Sequence, residues 1–440
     1  MSKRHPSAFQ RFFQSQASGS LVLLAATVLA LVWANSPWAS SYFDLLHTTF
    51  GVSLGGATFA LSLQHWINDG LMVLFFFVVG LEIKRELLVG QLSSFRAAFG
   101  PVSAAIGGMI VPAVIYLAFN AGTEAARGWG VPMATDIAFS LGILSLFGSR
   151  VPIGLKVFLT ALAIADDIGA VLVIAIFYSE QVRIAALAVA VILFLLLVAV
   201  NRIHLRRPGI YILLGLGVWA AVFASGVHAT VAGILVAFAV PVRARMEPKE
   251  FLERMRRAGR ALESLEEDEL TRESMLIEPS QMEGLERVHH ATGDMIPSGI
   301  ALEHFLHPVQ AFLILPLFAL FNAGVALNSE VVAFPLDPIT IGVILGLFLG
   351  KQLGVMSALW LAVKSGRAAL PEGVGWPMMY GVSCLAGVGF TMSLFISELA
   401  FRGVMADEAK FGILVGSLLS GVFGYVVLSR VLKRAGPGGD

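Results

Sequence analysis

A chain whose apolar residues arrive in a dozen blocks of bilayer length has few folds open to it. The 440-residue sequence shows such runs at roughly 19–38, 68–90, 98–120, 129–147, 153–178, 184–200, 210–225, 227–241, 308–327, 338–362, 377–398 and 409–432. A helix needs about 20 apolar residues to cross the hydrocarbon. Inside lipid each backbone polar group must be satisfied by the segment itself or by a closed barrel. Barrel strands read as short alternating segments, whereas these runs are continuous. The sequence therefore predicts an all-α polytopic membrane protein with about twelve transmembrane helices in one domain spanning residues 1–440. Composition agrees: 14% of residues are charged, against about 25% in soluble domains.

Charge fixes the expected orientation. The loops on the side of the N-terminus hold Lys84, Arg85, Arg96, Arg150, Lys156, Arg202, Arg206, Arg207, Lys364 and Arg367. The opposite loops hold only Arg127, Arg183, Arg402 and Lys410. The positive-inside rule then places both termini in the cytoplasm. The basic N-terminus (Lys3, Arg4, Arg11) could precede a cleaved signal peptide; the run from Leu21 to Trp33, with eleven spans behind it, favours an uncleaved first helix. A net charge of zero implies no nucleic-acid or acidic partner. The lone Cys384 allows no internal disulfide and does not report the compartment.

Two extramembrane segments stand apart. Residues 243–307 are rich in Glu and Arg, and "EPKEFLERMRRAGRALESLEEDEL" has helical spacing. It reads either as a solvated linker or as an amphipathic helix on the membrane surface. On the other side, residues 50–63 alternate about Gly55-Gly56, a β-hairpin pattern. An exposed hairpin edge needs a partner, so a homodimer contact and an ordinary loop are the two readings.

Four ionisable residues sit where lipid should surround the chain: Asp136, Asp166, Asp167 and Lys351. Each costs roughly 2.5–3.5 kcal/mol at a helix centre, on the order of 10 kcal/mol together if unpaired. Asp166 lies ten residues beyond Lys156, about 15 Å of helix rise, which is mid-bilayer. Neighbouring residues point about 100° apart, so Asp166 and Asp167 cannot both face one partner but can border one wet cavity. An ion pair of Lys351 with one aspartate would glue helices and leave a second carboxylate without a cation. A buried lone carboxylate favours the proton. A group that chooses between a proton and a metal cation in a wet pocket is a transport site.

Two spans are interrupted. Gly128, Gly130 and Pro132 precede Thr135 and Asp136 in the fourth; Gly387 and Gly389 precede Thr391 in the eleventh. Spans 3–5 and 10–12 then form matching triplets of opposite topology, inverted repeats with two interrupted crossing helices, as in secondary transporters.

Seven stretches carry a resemblance. "WINDGLMVLFFFVVGLEIKREL", "GWGVPMATDIAFSLGIL", "LKVFLTALAIADDIGAVLVIAIFY", "SGVHATVAGIL", "LEHFLHPVQAFLILPLFALFNAGV", "LGKQLGV" and "GVGFTMSLFI" closely resemble the NhaA family of bacterial sodium/proton antiporters, in order and over nearly the whole chain. Inverted repeats are described for that family itself, so repeat and resemblance are not independent. The long 243–302 segment departs from the short loop of many members. The resemblance implies that Asp166 and Asp167 bind the cation, with Asp167 the direct ligand. It implies that Thr135 and Asp136 belong to the unwound crossing, where Asp136 offsets helix-end charge, and that Lys351 pairs with the first aspartate. It assigns Glu82, Arg85, Glu86, Glu303, His304 and His307 to a pH-responsive cluster at the cytoplasmic mouth.

The expected chemistry is competition. Hard cations prefer oxygen, and Asp166, Asp167 and the backbone near Thr135 could replace part of the water around Na+ or Li+. The same oxygens hold protons or the metal ion, never both, which couples the fluxes; two protons against one Na+ would make exchange electrogenic. No enzyme activity and no cofactor are expected. The histidines His304 and His307 beside Glu303 could titrate near neutral pH or simply begin the helix before Pro308. His228 reads as a packed or wet histidine, and Asp69 first as a helix cap and second as a group at the outer mouth. A proton-coupled organic-solute symporter would need a larger pocket. An intramembrane aspartyl protease would need its second aspartate on another helix, in a Gly-x-Gly-Asp setting absent here.

Overall fold

The structure is a computed structural model that describes residues 8–54, 57–179, 182–203, 208–242, 247–263, 292, 297–327 and 336–434. The Gly55-Gly56 turn and most of the 243–307 segment, including the Glu-rich 264–270, lie outside the described residues.

Helix α1 (Ala8–Ala34) is followed by a short helix α2 (Ala39–His47) that turns 111° away from it. Strands β1 (Thr49–Leu54) and β2 (Ala57–Ser62) pair antiparallel, from Thr49 opposite Ser62 to Leu54 opposite Ala57. Then come α3 (Leu63–Leu88), α4 (Phe95–Asn120), a 3-10 stretch Glu124–Met133 leading into α5 (Ile137–Ser145), and α6 (Ile153–Phe177). They are followed by α7 (Ile184–Arg202), α8 (Pro208–Ser225), α9 (Thr230–Ala239) and α10 (Pro248–Glu263). The remainder is α11 (Ser298–Asn322), α12 (Pro338–Lys364), the bent pair α13 (Trp376–Leu385) and α14 (Phe390–Ala400), and α15 (Val404–Arg434).

Seven of these helices are each long and apolar enough to cross a bilayer alone. The broken or short apolar elements α1, α5 with its 3-10 stretch, α8, α9 and the α13–α14 pair fill the other positions expected for twelve spans. Tryptophan and glycine decide local details. Trp66 Nε1 donates to Phe50 O at 2.8 Å and ties the hairpin to α3. A Cβ on Gly107 of α4 or Gly354 of α12 would collide with the other's backbone, so the leading helices of the two triplets meet along a seam only glycine allows.

Two expectations are corrected. Asp69 is not a cap: α3 begins at Leu63, where Ser62 Oγ accepts from His65 N–H, and Asp69 lies in a wide π-turn, Trp66–Leu71. Pro308 does not start its span, because α11 begins at Ser298; Glu303, His304 and His307 are inside the helix, and a wide turn Gln310–Ile314 follows the proline. A missing N–H in a helix interior is absorbed by such local rewinding. The fourth span is interrupted before Thr135 as expected, and the stretch ahead of the break, with its closely spaced Gly128, Gly130 and Pro132, is a 3-10 helix. In α10, exposed i,i+4 pairs (Arg254–Glu250 at 2.8 Å, Arg257–Glu253 at 3.3 Å) support the helix, each by a few tenths of a kcal/mol, about 0.3–0.5.

Candidate functional site: the crossing of two broken helices

The chain unwinds at Ala134–Asp136 and again at Ala386–Gly389, and the two gaps cross. Each opens backbone groups that no helix can satisfy, and each closes the other's. Asp136 N–H donates to Val388 O at 2.6 Å. Thr135 Oγ1 donates to Ala386 O, Ser140 Oγ to Leu385 O and Ser393 Oγ to Val131 O, all at 2.8 Å. Small hydroxyl residues in both half-helices thus replace the missing helical hydrogen bonds, which in lipid must be replaced.

Asp136 serves two helix starts at once. Its Oδ1 accepts from Phe139 N–H at 3.1 Å, the N-cap contact of α5. Its Oδ2 accepts from Thr391 N–H at 2.9 Å and from Thr391 Oγ1 at 2.5 Å, in the first turn of α14. Two positive helix ends and three donors therefore surround one buried carboxylate. The sequence marked both breaks; that one side chain caps both helices needed the fold.

Lys351, 1% exposed, reaches from the middle of α12 to the same place. Its Nζ donates to Asp166 Oδ2 at 2.8 Å and to Thr135 Oγ1 at 2.9 Å. The other oxygen of Asp166 is buried without a hydrogen-bond partner. Asp167, 4% exposed, has no hydrogen bond or ion pair of its own among the described residues. The charge balance is then explicit. Helix ends answer Asp136, Lys351 answers Asp166, and Asp167 is left for a proton or a cation, since a buried charge must be paired or neutralised. Among the described residues no three His, Cys, Asp or Glu side chains converge as a resident metal site; the free oxygens of Asp166 and Asp167 are suited to a transient hard cation.

A cavity of about 30 Å³ leads toward this crossing from the basic end of the bundle, where Lys84 and Arg85 lie. Glu82, Arg85, Thr160, His307 and Gln310 line it with Ile137 and Ile164, which are one and two residues from Asp136 and Asp166. At its mouth Arg85 Nη1 meets Glu303 Oε1 at 2.5 Å, across α3 and α11. The structure thus brings Glu82, Arg85, Glu303 and His307 together. Glu86 and His304 lie within electrostatic reach of Glu303; Glu86 also accepts from Gln91 N–H at 2.8 Å, holding the turn after α3, and His304 is exposed.

Toward the hairpin end, aromatic rings and ion pairs pack around α14. Phe395, fully buried in α14, packs against Phe76, Phe318 and His228 with ring centres 5.3–6.2 Å apart. His228 Nε2 lies 3.6 Å from Asp69 Oδ1. Lys410 Nζ pairs with Glu398 at 2.5 Å, and Gln64 Nε2 donates to the same carboxylate at 3.2 Å. Sequence reasoning missed Phe395, Glu398, Gln64, Thr160 and Gln310. Glu398, as a charge in an apolar run, was the one signal that could have been read.

The model of the family described as Na+/H+ antiporter 1 matches residues 10–428. The chain belongs to this family. Antiporters of this kind are secondary transporters, not enzymes, and the chain is a polytopic helical membrane protein. It is similar to the Na(+)/H(+) antiporter NhaA of Oleidesulfovibrio alaskensis, 49% identical over 430 residues covering 97% of this chain and 94% of the relative. Its similarity to that of Koribacter versatilis is 48% over 429 residues, 96% and 91% of the two chains. With that of Pelagibacter ubique it shares 44% over 437 residues, 99% and 100%. For a member of the Na+/H+ antiporter 1 family, the crossing with its unanswered carboxylate is the place to look for ion exchange.

Proposed function

We propose that this protein exchanges Na+ for H+ across a bacterial inner membrane, with Asp167 and Asp166 as the oxygens that hold either occupant. One observation carries the reading: of three carboxylates buried at the crossing, only Asp167 makes no hydrogen bond and no ion pair among the described residues. Sodium arriving there must displace a proton from Asp167 and compete with Lys351 for Asp166. A second proton, from the Lys351 ammonium once its partner is taken or from Asp166 itself, makes two H+ for one Na+, and exchange is then electrogenic. Lithium, a smaller hard cation, uses the same oxygens. A cavity of about 30 Å³ has room for roughly two water-sized occupants, which favours a bare or partly hydrated ion over an organic solute.

Alternating access follows from rocking of the triplets α4–α6 and α12–α15 against the other helices; the small cavity on the basic side of the crossing favours that side, read as cytoplasmic, as the route by which the cation approaches. The Arg85–Glu303 contact joins the two groups at the mouth, so protonation of Glu82, Glu303 or His307, with Glu86 and His304 nearby in the sequence, would bias opening and make transport pH-dependent. The exposed edges of the β1–β2 hairpin favour a homodimer.

Everted vesicles carrying the protein, loaded with a pH-sensitive dye and given Na+ or Li+ over a range of pH, test the exchange. Cation-dependent proton movement in the wild type, lost in Asp167→Asn, is expected. Movement of equal rate in that variant overturns the assignment.

A further inference from the structure

The cavity below the crossing is lined by two polar side chains to which the exchange reading gives no task, Thr160 and Gln310. Gln310 is 7% exposed, and its Oε1 is buried without a hydrogen-bond partner. An unmade hydrogen bond of this kind costs about 1–3 kcal/mol, so a buried amide left this way calls for a reason. It opens the wide turn Gln310–Ile314 on α11, just past Pro308, and faces a cavity that also holds the Glu82 carboxylate. A half-turn about the terminal bond exchanges its oxygen and nitrogen without a change of volume, so the amide can offer the cavity its oxygen.

Thr160 lines the same cavity from a different helix, α6. Its hydroxyl donates to Lys156 O at 3.0 Å, which leaves the oxygen lone pairs available as acceptors. On α6, Thr160, Ile164 and Asp167 are spaced i, i+4, i+7, one stripe along one face. Thr160 therefore lies in line with Asp167, about 10.5 Å nearer the basic end. The cavity wall made by Thr160 and Ile164 is the approach to that carboxylate.

We propose that Gln310 and Thr160 form an inner waystation for the transported alkali cation, where it exchanges part of its water for an amide and a hydroxyl oxygen before reaching Asp167. An amide, a hydroxyl and a carboxylate are the donor set a hard cation selects. The cations facing the space are Arg85, already held by Glu303 at 2.5 Å, and His307 when protonated. The volume, about 30 Å³, holds an ion with roughly one water. This inference rests on the exchange reading and on entry from the basic end.

The test uses the full-length protein in proteoliposomes, with Na+ or Li+ supplied to either face and initial exchange rates recorded against cation concentration. Gln310→Leu and Thr160→Val should each raise the half-saturating Na+ at the basic face about threefold to tenfold, the range one lost oxygen contact gives. They should also change the Na+/Li+ preference there. Gln310→Glu, which keeps an oxygen, should recover the Na+ dependence. Thermal melting of each variant reports its fold; should Gln310→Leu fail to fold, Thr160→Val carries the test. Folded variants whose half-saturation and ion preference stay within twofold of wild type overturn the waystation. A loss that Gln310→Glu shares equally with Gln310→Leu also overturns it, since it marks the amide as packing. Exchange surviving in Asp167→Asn is a separate result and overturns the parent reading instead.

Discussion

Lys351 Nζ stands 2.8 Å from Asp166 Oδ2, and the next residue, Asp167, has no such neighbour among the described residues. Two adjacent carboxylates therefore stand in different settings: one is held in an ion pair, the other makes no contact of that kind.

Removing the ammonium should unfasten the crossing. Lys351 and Asp166 are both 1% exposed, and deleting one partner of a buried pair costs about 3–5 kcal/mol because the other charge is left unpaired. Lys351→Ala should melt well below the wild type in detergent. Lys351→Ala combined with Asp166→Asn should regain much of the loss, because no lone charge remains. Equal melting of the single and double variants would show that the pair contributes nothing as a pair.

Asp167→Asn should behave in the opposite way. With no hydrogen bond to lose, the variant should melt within a few degrees of wild type, yet show no cation-driven proton movement. Calorimetry in buffers of different ionisation heat gives the proton count directly. Wild-type protein should release protons on binding Na+, and Asp167→Asn should release fewer. Proton release unchanged by the substitution would remove Asp167 from the exchange.

Much of this was legible in the sequence because membrane chemistry is severe. Asp136, Asp166, Asp167 and Lys351 were conspicuous as charges within apolar runs; Gly128, Gly130 and Pro132 marked one break, and Gly387 and Gly389 the other. What a linear reading cannot supply is partnership between distant segments. Nothing near Thr391 in the chain says that its N–H and hydroxyl turn to Asp136, 255 residues away. Polar residues that look ordinary stayed hidden too: Gln310 and Thr160 are common helix residues until the fold sets them about one cavity. Boundaries misled where a local rule met a longer helix. Pro308 reads as a first-turn proline, but α11 starts ten residues earlier, at Ser298.

At the mouth, Arg85 and Glu303 join helices that belong to different parts of the chain. The arginine side chain is 33% exposed and the glutamate 5%, so solvent screens the pair only on one side, and about 1 kcal/mol of coupling is expected. Arg85→Gln and Glu303→Gln should each displace the pH profile of exchange in vesicles. The charge-swapped double variant, Arg85→Glu with Glu303→Arg, should return it toward wild type if contact rather than position matters. Additive displacement in the swap would show that the two residues act separately.

Asp136 offers the sharpest separation of geometry from charge. Its carboxylate accepts from Phe139 N–H at 3.1 Å and from Thr391 at 2.9 and 2.5 Å, so it caps α5 and α14 together. Losing a cap costs about 0.5–2 kcal/mol, and here two are lost at a buried crossing. Asp136→Ala should therefore destabilise the protein more than Thr391→Val, which removes only the hydroxyl contact. Asp136→Asn keeps one acceptor oxygen but withdraws the negative charge from between two positive helix ends. It should melt between the wild type and Asp136→Ala. It should also bind Na+ more weakly, because the helix-end charge that Asp136 had balanced then opposes the incoming cation. Should Asp136→Asn bind Na+ as tightly as the wild type while Asp136→Ala is merely unstable, the carboxylate is a structural cap and its charge plays no part in cation binding.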